Sequence, residues 1–344
     1  VLQPTHLART RLAGALVALT STLAVAGALT GAGCSSPRAR ATGHIVVAVT
    51  VDWEGAAFAP EGLDALDELR RRTAPAPITH FVSSAYFTKE HPDARATTYL
   101  TEMVHPGDEL AIHLHVWRSL ARAAGLEPKL SPSFVTGTDK LYEFDDGDTG
   151  FDTDLDVYNV TELRALVRTS GQLLAKIRVP SKSFRAGGFL GTPKVLEALR
   201  QEGFTVDSSA IDYRQIDAKK DSFLQTRVKE VWPKLDTMSQ PYFLDAGQRQ
   251  LIEMPIAATA DYVAAADIVK LFEAAAARLA KDPARDVFVL IGCNQETAQD
   301  FAGRIGEAIE QVRGNKAIAD HLQFTTVEKA AAMARNEIVA PTGT

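Results

Sequence analysis

The stretch VAVTVDWEGAAF, Val47 to Phe58, decides how the chain reads. From Val47 to Val51 every residue is apolar or β-branched, as in a strand buried on both faces. The strand then ends on Asp52, Trp53 and Glu54. Side chains alternate along a strand, so Asp52 and Glu54 share one face and Trp53 takes the other. Two neighbouring carboxylates repel unless a cation or a proton settles them. The end of this core strand is therefore a candidate site.

The same pattern repeats outward. ITHFVSS, DELAIHLHV, SKSFRAG, FTVDSS, QLIEMPI, DVFVLIG and LQFTT read as further strands. Helical stretches such as GLDALDELRRR, TELRALVRTSGQLLAKI and AADIVKLFEAAAARLAK separate them. Strands alternating with helices imply parallel strands joined by crossovers. Seven or eight such units predict an α/β fold, a distorted (β/α) barrel of parallel strands spanning residues 44–340. Two irregular stretches, Arg118 to Asn159 and Ala210 to Gln248, read as long rim insertions. No glycine-rich phosphate loop follows a strand, which argues against a dinucleotide fold. Polar residues collect at strand ends: Asp52 and Glu54, His113 and His115, Arg185, Asp207, Cys293 and Asn294. In a parallel α/β barrel that rim carries the site.

Residues 1–34 read differently. Arg9 and Arg11 precede a long apolar run ending in small residues before Cys34, the anatomy of an export signal. It resembles a bacterial lipoprotein signal, although Gly31 stands where such signals usually carry Leu. The resemblance implies a lipid anchor on Cys34, a polar tether over 35–43, and a place in the cell envelope, bound to the membrane; the alternative is ordinary cleavage and release, or a retained single-span anchor. With 344 residues and a net charge of -6, the chain can bury a large core and is a poor partner for nucleic acid. Two cysteines exclude a disulfide framework and a cysteine-rich zinc module.

His113 and His115 lie two apart in ELAIHLHVW and project to one face. With a carboxylate from a neighbouring strand they form a two-His, one-carboxylate set, which suits a divalent metal with open positions. The same H-x-H also occurs as two packed histidines beside an aromatic such as Trp117.

In this order the motifs resemble the polysaccharide deacetylase family of carbohydrate esterases, over roughly Ile45 to Val327. Asp52-Trp53-Glu54 resembles its acidic strand end, HLH its histidine strand and SFRAGGF its arginine strand. GFTVDSSA and LIEMPI also look like family strands. The resemblance implies that Asp52 is the general base, with Arg185 as its counter-ion. Glu54, His113 and His115 would hold a divalent metal, most simply zinc. Trp53, Trp117 and Asp207 are the expected substrate contacts, although Asp207 also suits a turn or cap.

One departure stands out. The family supplies a late-strand histidine as the acid, whereas VFVLIGCNQETA offers Cys293 and Asn294. Asp52 could both take and return the proton. His80 either faces the site or packs in the core. The acids of Tyr142 to Tyr158 suit a solvated substrate-side loop better than a calcium site. The expected activity is hydrolysis of N-acetyl or O-acetyl groups on a glycan. The alternative is a glycan-binding lipoprotein whose catalysis was lost with the histidine.

Overall fold

Strand β1 (Ile45–Trp53) is buried at every position. It pairs in parallel with β2 (Ile78–Ser83) on one side and β9 (Val287–Asn294) on the other. The computed structural model describes residues 42–58, 60–244 and 250–339. The stretch read as an export signal, Cys34 and most of the stretch read as a tether lie outside the described residues. Gly43 already belongs to the packed chain, its N–H donating to the Pro283 carbonyl at 2.8 Å. Among the described residues no helix is long and apolar enough to cross a membrane.

Beyond β2 the sheet continues through β3 (Glu109–Leu114), β4 (Ser183–Ala186) and β5 (Val206–Asp207), all parallel. The stretch that read as one strand, QLIEMPI, is broken at Met254-Pro255 into β7 (Ile252–Glu253) and β8 (Ile256–Thr259). Proline cannot donate to a ladder, which fits the break. β7 pairs with β5 while β8 pairs with β9. Residues 252–259 thus return the sheet to its starting strand, and the curled sheet is the distorted barrel expected from the alternation. β6 (Tyr242–Phe243) is antiparallel to β7 at the edge. β10 (Leu322–Phe324) pairs with the start of β1, outside this ring.

Alternation divides the strands into two layers. Val47, Val49, Val51 and Trp53 face outward, into a core shared with the surrounding helices. That core includes Leu66 and Leu69 of α1 (Pro60–Thr73) and Leu100 of α2 (Ala96–Met103). It also takes Leu120 of α3 (Arg118–Ala123), Leu163 and Leu166 of α4 (Val160–Leu174), and Leu199 of α5 (Pro193–Gln201). The second insertion carries α6 (Ser222–Val231). Ile268, Phe272, Ala275 and Leu279 line the buried stripe of α7 (Ala265–Lys281), at helical spacing. α8 (Ala298–Gly314) covers β9, and the short α9 (Lys316–Ala319) follows it.

Val46, Ala48, Phe81, Ala111, Phe288 and Leu290 face inward. They pack with Val327, Ala330, Ala331 and Ala334 of α10 (Val327–Val339), which plugs the barrel at the strand starts. Above this apolar floor the inward positions become polar: Thr50, Asp52, His113, Arg185 and Asn294. The floor supplies rigidity, and the upper half can hold charge.

Gly292 of β9 marks the boundary between the halves. A Cβ there would fall on Thr50 Oγ1 and within 3.0 Å of the Thr50 carbonyl oxygen. Thr50 Oγ1 in turn accepts from Arg185 at 3.0 Å. Gly292→Ala should destabilise the fold by about 1–3 kcal/mol, the usual range for overpacking. Chemical denaturation measures the loss.

Candidate functional site

The carboxyl ends of β1, β3 and β4 build the site. Glu54, His113 and His115 are buried, and one ligating atom from each lies within 4.8 Å of the others. His113 Nε2 is 3.2 Å from Glu54 Oε2 and 3.1 Å from His115 Nε2. His115 Nε2 also contacts Glu54 Oε2. Both Nδ1 atoms face carbonyl oxygens, Arg185 O at 3.0 Å for His113 and Phe151 O at 2.7 Å for His115. A carbonyl only accepts, so each Nδ1 must carry the proton. In the neutral rings both Nε2 lone pairs then point at each other and at a carboxylate. Three converging acceptors repel unless a cation stands among them. This donor set, with both outer nitrogens fixed, fits a divalent metal.

The electrostatics agree. Burial pushes the Glu54 carboxyl up, but His115 and His113 outweigh it and hold it well below the usual carboxylate range. Burial pushes His113 down, and the adjacent Glu54 reverses this and raises it.

Asp52 stands one inward position below Glu54. Its Oδ1 accepts from Arg185 Nη1 at 2.7 Å. The guanidinium is 1% exposed and lies 4.1 Å above the Phe81 ring. It also donates to Thr50 Oγ1, to the Ser208 carbonyl at 2.8 Å and to Ser208 Oγ at 2.9 Å. A cavity of about 140 Å³ opens above, lined by Asp52, Glu54, His113, His115 and Asn294 together with Asp261. Phe134, Phe151, Phe189 and Tyr262 form apolar parts of its wall. Phe189 adopts φ 63°, a strained state for a bulky residue. Its carbonyl is held by Trp232 Nε1 at 2.8 Å.

Other sequence candidates lie elsewhere. Cys293 is 1% exposed and belongs to the outer core, because it is one residue out of phase with Asn294. Burial pushes its thiol well above the ordinary range, so it is no acid for the cavity. Trp53 also faces outward, donating from Nε1 to His80 Nδ1 at 3.1 Å. His80 is thus a packed residue. Trp117 is buried and donates to the Glu54 carbonyl at 2.9 Å, with the Lys89 ammonium 3.1 Å above its ring. Asp207 is buried beside Ser209 and Glu253, outside the cavity. None of these three lines the cavity as a substrate contact must.

The acidic loop is pinned by individual partners. Asp146 and Asp148 pair with Lys89 at 3.4 and 3.2 Å. Asp152 accepts from Ser133 and from the Tyr142 N–H. Asp154 takes Arg227 of α6 at 2.8 Å, which ties the two insertions together. Among the described residues the loop contributes nothing to a metal-ligating cluster.

Two functional candidates escaped the sequence reading because both sit in turns after strands. Glu296 accepts the Glu54 N–H at 3.1 Å and the Tyr86 hydroxyl at 2.8 Å. Burial and the neighbouring Glu54 push it up to about 8. Asp261, after β8, lies in the cavity wall.

No protein-family model matches the chain, and no curated protein sequence matches it significantly. Solved structures do match. A candidate polysaccharide deacetylase from Mycobacterium smegmatis superposes with a TM-score of 0.51 at 14% identity, over 88% of this chain and 94% of that one. The chain has the polysaccharide-deacetylase fold. A 4-α-glucanotransferase from Thermococcus litoralis matches with a TM-score of 0.50 at 10% identity, over 88% of this chain and 41% of that one. This chain thus spans less than half of the glucanotransferase. The chitin deacetylase of Colletotrichum lindemuthianum matches at 0.41 and 11% identity, over 84% of this chain and 88% of that one. Proteins with differently named activities share the scaffold, so the chemistry has to be argued from the residues.

Two predictions follow from packing. A Cβ on Gly187 would lie 2.5 to 2.7 Å from three atoms of the His115 ring. Gly187→Ala should therefore weaken divalent-metal binding about tenfold or more, the range for losing a ligand's support; zinc titration by calorimetry reads it. The Asp207–Glu253 pair tests the other placement. Burial raises both carboxyls, and the native pair keeps a proton that the unfolded chain has lost. Its stabilising share is present below about pH 4 and falls as pH rises from there. Asp207→Asn carries no charge at any pH. Its stability relative to wild type should increase between about pH 4 and 7 in thermal melts.

Proposed function

We propose that the chain is a metal-dependent deacetylase that hydrolyses the acetyl group of an acetylated glycan. The observation that carries this reading is the Glu54, His113 and His115 cluster, three converging acceptors beside the Arg185-anchored Asp52 in one cavity. The fold shared with a candidate polysaccharide deacetylase supports it. The N-terminal signal pattern and Cys34 support export and a lipid anchor in the cell envelope.

Glu54 Oε2 and the two Nε2 atoms would hold a divalent cation, and zinc suits nitrogen and carboxylate donors. Such an ion polarises the acyl carbonyl and makes water acidic enough to attack near neutral pH. Asp52 supplies the base. Arg185 fixes Oδ1, so Oδ2 is the oxygen that accepts the proton of the attacking water. The Arg185 and Phe151 carbonyls keep both imidazoles in the tautomer that presents Nε2. The apolar wall of Phe134, Phe151 and Phe189 favours an acyl methyl and excludes bulk water. Asn294 occupies the late-strand place and can orient a polar group but cannot give up a proton.

The two carboxylates have separable roles, and their variants should fail differently. Asp52→Asn should keep metal and lose about 10²–10⁴ in turnover, the usual range for general acid–base catalysis. Glu54→Gln should lose metal affinity first, with activity partly restored by added zinc. Metal content and acetate release from an N-acetylglucosamine oligomer measure the two effects. Equal metal loss in both variants would remove the division of labour. A wild type that holds metal, binds the oligomer and releases no acetate would instead be a glycan-binding protein.

A further inference from the structure

Asp261, like Asp221 and Tyr262, is a titratable group in the cavity wall that the roles above leave without a task. It follows β8, on the opposite side of β9 from β1, and lines the same cavity as Asp52 and Asn294. Its carboxylate is fixed from three directions. Thr259 Oγ1 and the Asn294 N–H donate to Oδ2 at 3.0 and 3.1 Å, and Thr297 Oγ1 donates to Oδ1. A turn anchor would account for those donors. It would not account for placing a carboxyl in a cavity that already holds Asp52, since two such groups repel.

We infer that Asp261 is the catalytic acid, giving its proton to the leaving nitrogen in the position where a late-strand histidine is absent. The inference rests on the deacetylase reading. The step balances with Asp52 as its partner. As water adds to the carbonyl carbon, a C–O bond forms and the water proton passes to Asp52. The C–N bond then breaks, and the nitrogen takes the Asp261 proton as it leaves. Asp261 ends as carboxylate and Asp52 as acid. Transfer of that proton from Asp52 to Asp261, through water in the cavity, restores both groups. The net change is one water consumed, with one amine and one carboxylic acid formed.

The surroundings favour a carboxyl that holds its proton. Burial raises its proton affinity, the donors Thr297, Asn294 and Thr259 oppose this, and the charge of Asp52 adds to the rise. Other titratable groups near it are Tyr262 next in the chain, Asp221 in the same cavity wall and Cys293 on the far face of β9. Arg304 of α8 donates to the Ala260 and Val263 carbonyls at 2.7 and 3.1 Å, fixing the turn that carries Asp261.

The test uses the metal-loaded protein and two acetyl substrates. One is an N-acetylglucosamine oligomer, whose amine must be protonated to leave. The other is 4-nitrophenyl acetate, whose phenolate leaves without a proton. Asp261→Asn should lower amide turnover by about 10²–10⁴, and the ratio of amide to ester turnover should fall by about the same factor, with metal content unchanged. Asp261→Glu should restore part of the amide rate. Thr259→Val covers the case in which the Asn variant does not fold. It removes one donor to the carboxylate, so the acid holds its proton longer and the alkaline limb of amide kcat/KM should move to higher pH. A purely structural turn anchor would lower both rates together and leave that limb in place, and this outcome overturns the assignment. An unchanged amide rate in Asp261→Asn overturns it too, leaving Asp52 to return its own proton. A metal-loaded wild type inactive on both substrates sinks the deacetylase reading and this inference with it. An active wild type with an unaltered variant sinks only the inference.

Discussion

The site depends on one buried guanidinium. Arg185 is 1% exposed and cannot be solvated by water, so the fold must supply its acceptors. It does so from three places: Thr50 and Asp52 on β1, and Ser208 beyond β5 through its carbonyl and hydroxyl. The Phe81 ring completes the cradle from below. These contacts tie β1, β2, β4 and the turn after β5 around a single planar group. Breaking such a pair is far more costly than its net value, about 3–5 kcal/mol, because the remaining charge is left unpaired. The same backbone has a second task, since the Arg185 carbonyl accepts from His113 Nδ1 and so sets the tautomer of that ring. Asp52 and His113 are therefore aligned by one residue.

The insertions extend this positioning outward. Phe151, in the first insertion, holds His115 twice: its carbonyl accepts from Nδ1, and its ring stacks on the imidazole with centroids 4.3 Å apart. The acidic loop around Phe151 is held by Lys89 on Asp146 and Asp148, Ser119 on Asp148, Ser133 on Asp152 and Arg227 on Asp154. A loop that reads as a block of like charge is, in the fold, a set of local pairings around the residue that holds one imidazole. Substitutions far from the cavity can thus act on it through His115.

Much of this was legible because a strand has period two. Asp52 and Glu54 were expected on one face, and they are. The same rule applied to β9 puts Cys293 with Val51 on the outer side and Asn294 with Asp52 on the inner side. Applied to β1, it turns Trp53 away from the cavity. The aromatic and thiol side chains suggested chemistry that their phase forbids. Asp207 could not be placed in this way, because β5 is only two residues long and gives alternation little to act on. Glu296, Asp261 and Phe151 follow strands or sit in an insertion, where side-chain direction is set by turn geometry and by partners distant in sequence. Their roles come from the ring closure of β7 and β8 and from the packing of the first insertion, neither of which has a periodic signal.

The charges of Asp52, Glu54, Arg185 and Asp261 make a last constraint. Asp52 and Glu54 bring two anions and Arg185 one cation, a deficit that the imidazoles can cover only by taking up a proton. An ionised Asp261 deepens the deficit by one, and a divalent cation at Glu54 then brings the sum to neutrality. With Asp261 protonated the same ion leaves one excess positive charge, which suits a reaction that develops negative charge on an acyl oxygen. Protonated Asp261 is thus matched to the state proposed to attack, and the excess is unchanged when the amine has gone, because Asp52 then holds the proton of the water and Asp261 has given up its own. A scaffold shared with a glucanotransferase does not impose such a balance; it arises from four side chains whose phase and turns bring them to one rim.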